Sequence, residues 1–489
     1  MKVFRTLGTA VLVSVLGAGL ASAQNWQPLN HQPGVNIGAV LQLRDGRILA
    51  HREQDNSQNW YILTPDTTGS YVNGTWSQAA NTPSGYAPLY FGSAVLPDTR
   101  VLVEGGEYNN LQAVWTTLGA IYNPKTNTWT SVNPPAGWST IGDAQNVLLP
   151  NGVLLQANCC TKQTAKFNPS TLTWTAGGSV LAKRNDESGY TLLPNNLVLM
   201  VDVQQNTNCG NSLKSSELYD YTTDTWTCGP QTTVQLWQQS DQELGAGVLT
   251  YNNTVFQSGG NVNATNVYSV AGNVWSAGPT PPGGLDQADG PGALEPNGKV
   301  LVEYSPGLFQ GGCQFMEYDP NTNTLANAGN GTQCPGDSSF VGHLMILPTG
   351  QILSTDFSGD VEIYNPAPGV VSGVAPTILS ASNLLIKGSI NNVLYGKQLN
   401  GLSQNNFYGD DYQSATNYPL VQLKDVNTGI VWWATTHDDS SNGIAPNAVG
   451  YTKFDLNPNM PGGVFDMAVI TNGIKSNTVR VNVLSHGTN

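Results

Sequence analysis

Apolar and polar residues alternate along this chain in short runs of about four to eight, each ending at a cluster of Gly, Pro, Asn or Asp. The two-residue period predicts β-strands, and the punctuation predicts tight turns between them. One phrase recurs seven times: "GAVLQLRDGRIL", "GSAVLPDTRVLV", "QNVLLPNGVLL", "GYTLLPNNLVLM", "GAGVLTYNNTVF", "GALEPNGKVLV" and "HLMILPTGQIL". Its turns begin near Arg44, Pro97, Pro150, Pro194, Tyr251, Pro296 and Pro348, about 44 to 57 residues apart. A second phrase follows most copies, as in "YNPKTNTWTSV", "FNPSTLTWTAG" and "YDYTTDTWTCG". Each copy reads as an inner strand, a second strand, then a hairpin whose last strand carries a tryptophan. These are Trp76, Trp129, Trp174, Trp226 and Trp275, with Leu325 in the sixth copy. The seventh copy has none after "GDVEIYNPAPG", but the segment "QNWQPL" near the start of the chain does. Trp26 is therefore expected to supply the missing outer strand and close the ring, which removes exposed sheet edges.

A small sheet of this kind cannot bury both faces alone. Seven must stack around an axis, leaving a central mouth lined by loops. The spacing fits the roughly 50-residue period of kelch blades. The predicted class is all-β: a seven-bladed kelch-type β-propeller over residues 24–370, followed by an immunoglobulin-like β-sandwich over 376–489. The second assignment rests on short alternating strands such as "GVFDMAVITNGIKSNTVRVNVL", which lack the blade phrase. Residues 1–23 read as a secretory signal peptide, with Lys2 and Arg5 before an apolar run and "ASA" ending at Ala23. The expected location is secreted, extracellular or periplasmic, with no membrane insertion after cleavage.

Composition narrows the partners. The formal net charge is −14, and only 11% of residues are charged. An acidic chain without a Lys/Arg run argues against nucleic acid and anionic lipid. Six cysteines in an exported chain point to disulfides. Cys313 and Cys334 flank the turn "DPNTNT" almost symmetrically and are expected to bond. Cys209 and Cys228 bracket the preceding hairpin and form a second expected pair. Cys159 and Cys160 are adjacent, and either bridge each other or pair elsewhere.

The repeats, the second domain with "WWATTHDD" and the terminal "ITNGIKSNTVRVNV" together resemble the secreted galactose oxidase and glyoxal oxidase family. In active members, the resemblance implies, two tyrosines and two histidines hold one copper ion, and a cysteine cross-linked to one tyrosine tunes a radical. Tyr90 matches the cross-linked tyrosine, and His437 matches the last histidine. They are the two candidate metal ligands. The remaining positions carry Ile37 for the cysteine and Phe340 and Val341 for the tyrosine–histidine pair. Hydrocarbon side chains cannot bind copper, so copper-radical chemistry is not expected. A register slip that recruits His343 would put Gly342 where the tyrosine belongs.

The position of Tyr90 falls on Asp143, Glu187 and Asp289 in blades 3, 4 and 6, and on Leu244 beside Glu243 in blade 5. The expected ligand site is therefore the propeller mouth, built from Tyr90, Asp143, Glu187, Glu243, Asp289, Phe340 and His437. Clustered carboxylates raise one another's pKa values or recruit a cation such as calcium. They also suit a polyhydroxylated ligand. The first reading is a monomeric secreted protein that binds carbohydrate, another polar small molecule or a cell-surface partner. The alternative is an enzyme, either an oxidase of the resembled type or a hydrolase or lyase using these carboxylates. Trp432 and Trp433 read as core, and Asp410 and Asp411 as a turn or a surface cation site.

Overall fold

A computed structural model describes residues 25–53, 57–332, 334–407 and 414–485. The segment assigned as a signal peptide and residues Asp410 and Asp411 lie outside these. Strands make up the described chain, with three short 3-10 turns and no α-helix among the described residues.

Among the described residues, six antiparallel four-strand meanders and a seventh sheet of three strands completed by Trp26–Pro28 form a β-propeller. Blade 1 consists of Ile37–Gln42, Ile48–Arg52, Trp60–Thr64 and Thr75–Gln78. The innermost strands of successive sheets neighbour one another in a closed cycle, from Ile37–Gln42 through Gly92–Val95 and onward to His343–Ile346. The inner strands are apolar on both sides because each faces the adjacent blades. Their turns carry the residues that left-handed backbone requires, such as Gly46 (φ 79°) and Gly152 (φ 79°).

The "Y-x-x-x-x-N/D" part of the second phrase has a local cause. The tyrosine hydroxyl donates to the side chain five residues on, which sits in the left-handed region. Tyr122 reaches Asn127 (2.9 Å, φ 52°), Tyr219 reaches Asp224 (2.7 Å, φ 57°) and Tyr268 reaches Asn273 (2.8 Å, φ 46°). Asn and Asp tolerate that conformation better than other side chains. Three outer-strand tryptophans then bind the blade before. The Nε1–H donates to His31 O from Trp76 (3.1 Å), to Ala80 O from Trp129 (2.9 Å) and to Asn133 O from Trp174 (2.8 Å).

Trp26 does the same for the last blade. Trp26–Pro28 pairs with Glu362–Tyr364, and the Trp26 indole donates to Ala328 O at 3.3 Å. Its ring lies 4.3 Å from that of Phe315 and 5.1 Å from that of Tyr364. The three disulfides are Cys159–Cys160, Cys209–Cys228 and Cys313–Cys334.

The second unit is a nine-stranded sheet folded around one core that includes Leu394, Val421, Leu423, Phe454, Phe465 and Met467. Strand Val431–His437 turns the corner: its first half pairs with Leu420–Asp425 and its last three residues pair with Val449–Asp455. The sandwich docks on the propeller face that carries the inner-strand turns. Thr436 N donates to Arg44 O, Asp438 N to Pro97 O and Asn442 N to Pro150 O.

From this face a segment of the second unit enters the propeller channel. Ser403 Oγ donates to Leu249 O (2.7 Å), and Gln404 Oε1 accepts from Leu192 N (2.8 Å). Asn405 Nδ2 donates to Leu294 O (2.7 Å), and Asn406 Oδ1 accepts from Ile346 N (2.8 Å). Asn406–Phe407 adds a fifth strand to blade 6. These short polar side chains satisfy inner-edge backbone groups that would otherwise line an empty bore. A cavity of 10 Å³ lies among Val40, Ser93, His343 and Phe407.

Candidate functional site at the open mouth

The inner strands start at the propeller face opposite the sandwich. There the chain enters four of the blades through a left-handed residue: Tyr90 (φ 50°), Glu187 (φ 59°) and Asp289 (φ 50°), and Gln242 (φ 63°) directly before Glu243. Such backbone costs of order 1 kcal/mol or more per non-glycine residue and concentrates at functional sites. Here it turns successive side chains toward one another. Oxygens of Glu187, Glu243 and Asp289, from blades 4, 5 and 6, lie within 4.8 Å of one another. Asp143 and Asp186 form a second group of the same closeness, beside the disulfide-bonded Cys159.

Sequence reasoning missed three members of this site. Asp186 directly precedes Glu187, so it was within reach of the same count. It accepts an ion pair from Arg184 at 2.7 Å. Arg184 also donates to Gln242 Oε1 (2.9 Å), as does Gln204 (2.8 Å). Glu107 and Tyr108 come from the loop after the second strand of blade 2, which no count from the inner turns reaches. Glu107 N donates to Tyr90 O at 3.0 Å. The rings of Tyr90 and Tyr108 lie 6.2 Å apart, edge to face, and Phe357 lies 6.2 Å from Tyr90 on the other side.

The mouth is thus two-sided. Aromatic rings come from blades 2 and 7, and carboxylates from blades 2 to 6. Phe340 sits on the rim in the turn Ser339–Val341, its ring 5.0 Å from that of Phe309, which is 71% exposed.

Burial and mutual repulsion keep these acids protonated to unusually high pH. Burial, with the charges of Asp289 and Asp186, pushes Glu107 up to about 7. Asp289 rises to about 6, mainly by burial. Glu243 is raised further, first by burial and then by the Asp289 charge. Asp143 is raised well above its ordinary value by burial and then by Asp186 and Glu107. Asp143 Oδ1, Glu243 Oε2 and Asp289 Oδ1 are closed off from solvent without a hydrogen-bond partner.

His437 does not belong to this mouth, which corrects the expectation from the resemblance. Its neighbours Thr436 and Asp438 bond to Arg44 and Pro97, at the turn end of the inner strands. Tyr90 starts the strand that ends at that turn, so the two lie an inner strand apart, roughly 20 Å at about 3.3 Å per residue. The physical reason is that Ser403–Phe407 takes the channel through which a side chain from the second unit would have to reach. His437 instead bridges Asp455 (Nε2, 3.0 Å) and Asp438 (Nδ1, 3.1 Å), and Asp455 pairs with Lys125 at 2.8 Å.

No described protein family matches the chain's sequence, and no curated protein matches it. Solved structures do match. A fungal alcohol oxidase of the AA5 family, determined in complex with copper, is 13% identical, with a TM-score of 0.54 over 94% of this chain and 98% of that one. A virginiamycin B lyase from Staphylococcus aureus is 9% identical, with a TM-score of 0.47 over 70% of this chain and 98% of that chain. At 13% identity the oxidase likeness is one of fold, and it extends over nearly the whole chain.

The residues at the copper positions do not fit that metal. Ile37 is fully buried and its backbone pairs with Ser358, while Phe340 and Val341 occupy the rim turn. Of the two candidate ligands, Tyr90 lies at the open mouth and His437 at the other end of the propeller. His343 is buried on the inner strand, where desolvation pushes its imidazole down to about 3.

Proposed function

We propose that this chain is an exported binding protein whose propeller mouth holds a polyhydroxylated, carbohydrate-like ligand without copper-radical catalysis. The observation that carries the reading is the convergence of Glu107, Asp143, Asp186, Glu187, Glu243 and Asp289 beside the rings of Tyr90 and Tyr108. Carboxylates accept hydrogen bonds from vicinal hydroxyls, and aromatic faces cover the apolar face of a sugar ring. Three disulfides suit an oxidising compartment. Among the described residues no helix is long and apolar enough to cross a membrane. Calorimetric titration of the mature chain with a panel of soluble polysaccharides tests the reading. Binding that weakens at least tenfold in Tyr108→Ala supports it. No binding across the panel, or binding indifferent to that change, sinks it.

A second reading has one specific support. Burial raises Glu243 furthest, while Asp289 is pushed up to about 6 and Glu107 to about 7, a separation of the kind a general acid and a general base need. Release of new reducing ends or unsaturated products from the same polysaccharides, abolished by Glu243→Gln, would favour a hydrolase or lyase. Copper-dependent peroxide release from simple alcohols would overturn both readings.

A further inference from the structure

A second hollow lies away from the mouth, where the sandwich meets the turns of blades 1 and 2. It is a cleft of about 890 Å³, walled on the propeller side by Asp45, Arg47 and Lys125 and on the sandwich side by Trp432, Trp433 and Asp455. Ligand sites favour junctions between domains, and this volume is near the top of their range of about 300–1,000 Å³. It has room for more than one sugar ring. Two contacts hold the walls together. Val431 N donates to Thr67 O (2.8 Å), and Lys125 Nζ donates to Asp455 Oδ2 (2.8 Å). The walls are thus set before any ligand arrives.

The charges of this cleft are already matched. Arg47 donates to Asp45 Oδ2 from Nε (2.9 Å) and Nη2 (2.6 Å), and Asp455 takes both Lys125 and His437. Asp66, also in the wall, accepts from Thr68 N and Ser70 N within its own turn. Matched charges leave little net field for an ion, and side chains already fixed cost a ligand little ordering entropy. The paired groups still offer acceptors and donors, which suits hydroxyls because they both give and take hydrogen bonds. Apolar surface lies between them. Trp432 and Trp433 point to opposite faces of their strand, one against the sandwich core and the other against the core shared with blades 1 and 2. Both remain only half-buried and line the cleft. The Trp433 ring is held against the turn of blade 1, where a Cβ on Gly46 would lie 2.7 Å from it. Ile390, 68% exposed, stands on the rim. A ligand with hydroxyls on its edges, apolar C–H faces and no charge matches this lining.

We propose that this cleft is a second carbohydrate site, which takes a neutral oligosaccharide chain between the sandwich and blades 1 and 2. Trp432 and Trp433 cover the apolar faces of the chain, and Asp45, Arg47 and Asp455 bond its hydroxyls. The site is separate from the mouth, which opens on the opposite face of the propeller, and neither reading needs the other.

The test is hydrogen exchange of the mature chain read by mass spectrometry, with neutral hexasaccharides of the cello-, xylo-, manno- and malto-series as probes and calorimetry for affinity. One of them should slow exchange at least twofold in peptides covering residues 64–70 and 387–391. Trp433→Ala should weaken that binding at least tenfold. Ile390→Asp, on the exposed rim, should weaken it too and serves if the tryptophan change unfolds the chain. Asp466→Asn, on an exposed pair with Arg480, should leave it unchanged. Melting curves separate lost binding from lost folding. No protection by any probe, or parental binding in both folded variants, overturns the site. Equal protection by oligogalacturonate, which is anionic, or by a proline-rich peptide overturns the neutral-carbohydrate assignment. Protection confined to residues 104–109 and 184–189 keeps the mouth reading and overturns the cleft, and protection confined to the cleft does the reverse.

Discussion

Arg44 and Asp439 meet at 2.8 Å with both side chains closed off from solvent, 0% and 1% exposed, and so join the first inner turn of the propeller to the sandwich. The guanidinium also donates from Nε to Leu96 O (2.9 Å) and lies 4.6 Å over the ring of Tyr418, whose hydroxyl donates to Gln42 O. Removing one member of a buried pair strands the other charge. Asp439→Ala should therefore cost about 3–5 kcal/mol. The measurement is chemical denaturation with separate probes for the two units. A loss below about 1 kcal/mol would show that water reaches the pair.

Trp26 should be worth as much to ring closure as any internal blade tryptophan. Trp26→Ala removes contacts with Phe315 and Tyr364 and the hydrogen bond to Ala328. The expected loss is about 3–5 kcal/mol. Deleting residues 24–29 should cost more and expose a sheet edge prone to association. An unchanged melting temperature in the deletion would remove Trp26–Pro28 from the closure of the ring.

The Cys313–Cys334 bridge closes a loop with a sequence separation of 21. Chain-entropy reasoning assigns such a loop roughly 3 kcal/mol. Replacing both cysteines with serine should lower stability by about that amount without changing the mouth. Peptide mapping of unreduced protein should find the two in one linked fragment.

Stability should fall as pH rises. Glu295 in blade 6 is raised to about 8, first by burial and then by the Glu317 charge, with Asn297 and Lys299 acting the other way. Tyr364 donates to Glu317 and Lys299 pairs with it. A raised acid holds its proton more tightly folded than unfolded. Its stabilisation is therefore full below about 4.5 and is lost as pH climbs through about 8. Burial moves Glu104, Glu303 and Asp202 in the same direction. His343, pushed down to about 3, opposes them only below its ordinary value of 6.5. Melting temperature should rise on acidification from pH 8 to about 5. Glu295→Gln should flatten that slope, and an equal slope in the variant would refute the assignment.

The blades were legible because each repeat announces itself locally: a turn, a tyrosine–asparagine hairpin, a tryptophan. The position of Trp26 followed from a missing phrase at one end and a spare one at the other, and Cys313 and Cys334 from symmetry about a turn. The mouth was half legible. Counting back from the turns found Asp143, Glu187, Glu243 and Asp289 because strand length is fixed by geometry. It could not find Glu107 or Tyr108, whose loop has no fixed length relative to any turn. The location of His437 was misread because spacing within a strand does not tell which face of the ring a docked domain covers. Ser403, Gln404, Asn405 and Asn406 carried no legible signal, since short polar side chains serve turns and buried backbone edges equally well.

The closing strand also sets a timetable. Gln27 bonds Asn365 across 338 residues of sequence, so an early-made part of the chain waits for nearly the last of the propeller. Ser403–Phe407 must then thread a bore that exists only once the blades are in place. Pairings this distant in sequence are slow to form and leave edges open meanwhile. The propeller cannot close until residues as far apart as Gln27 and Asn365 have both been made.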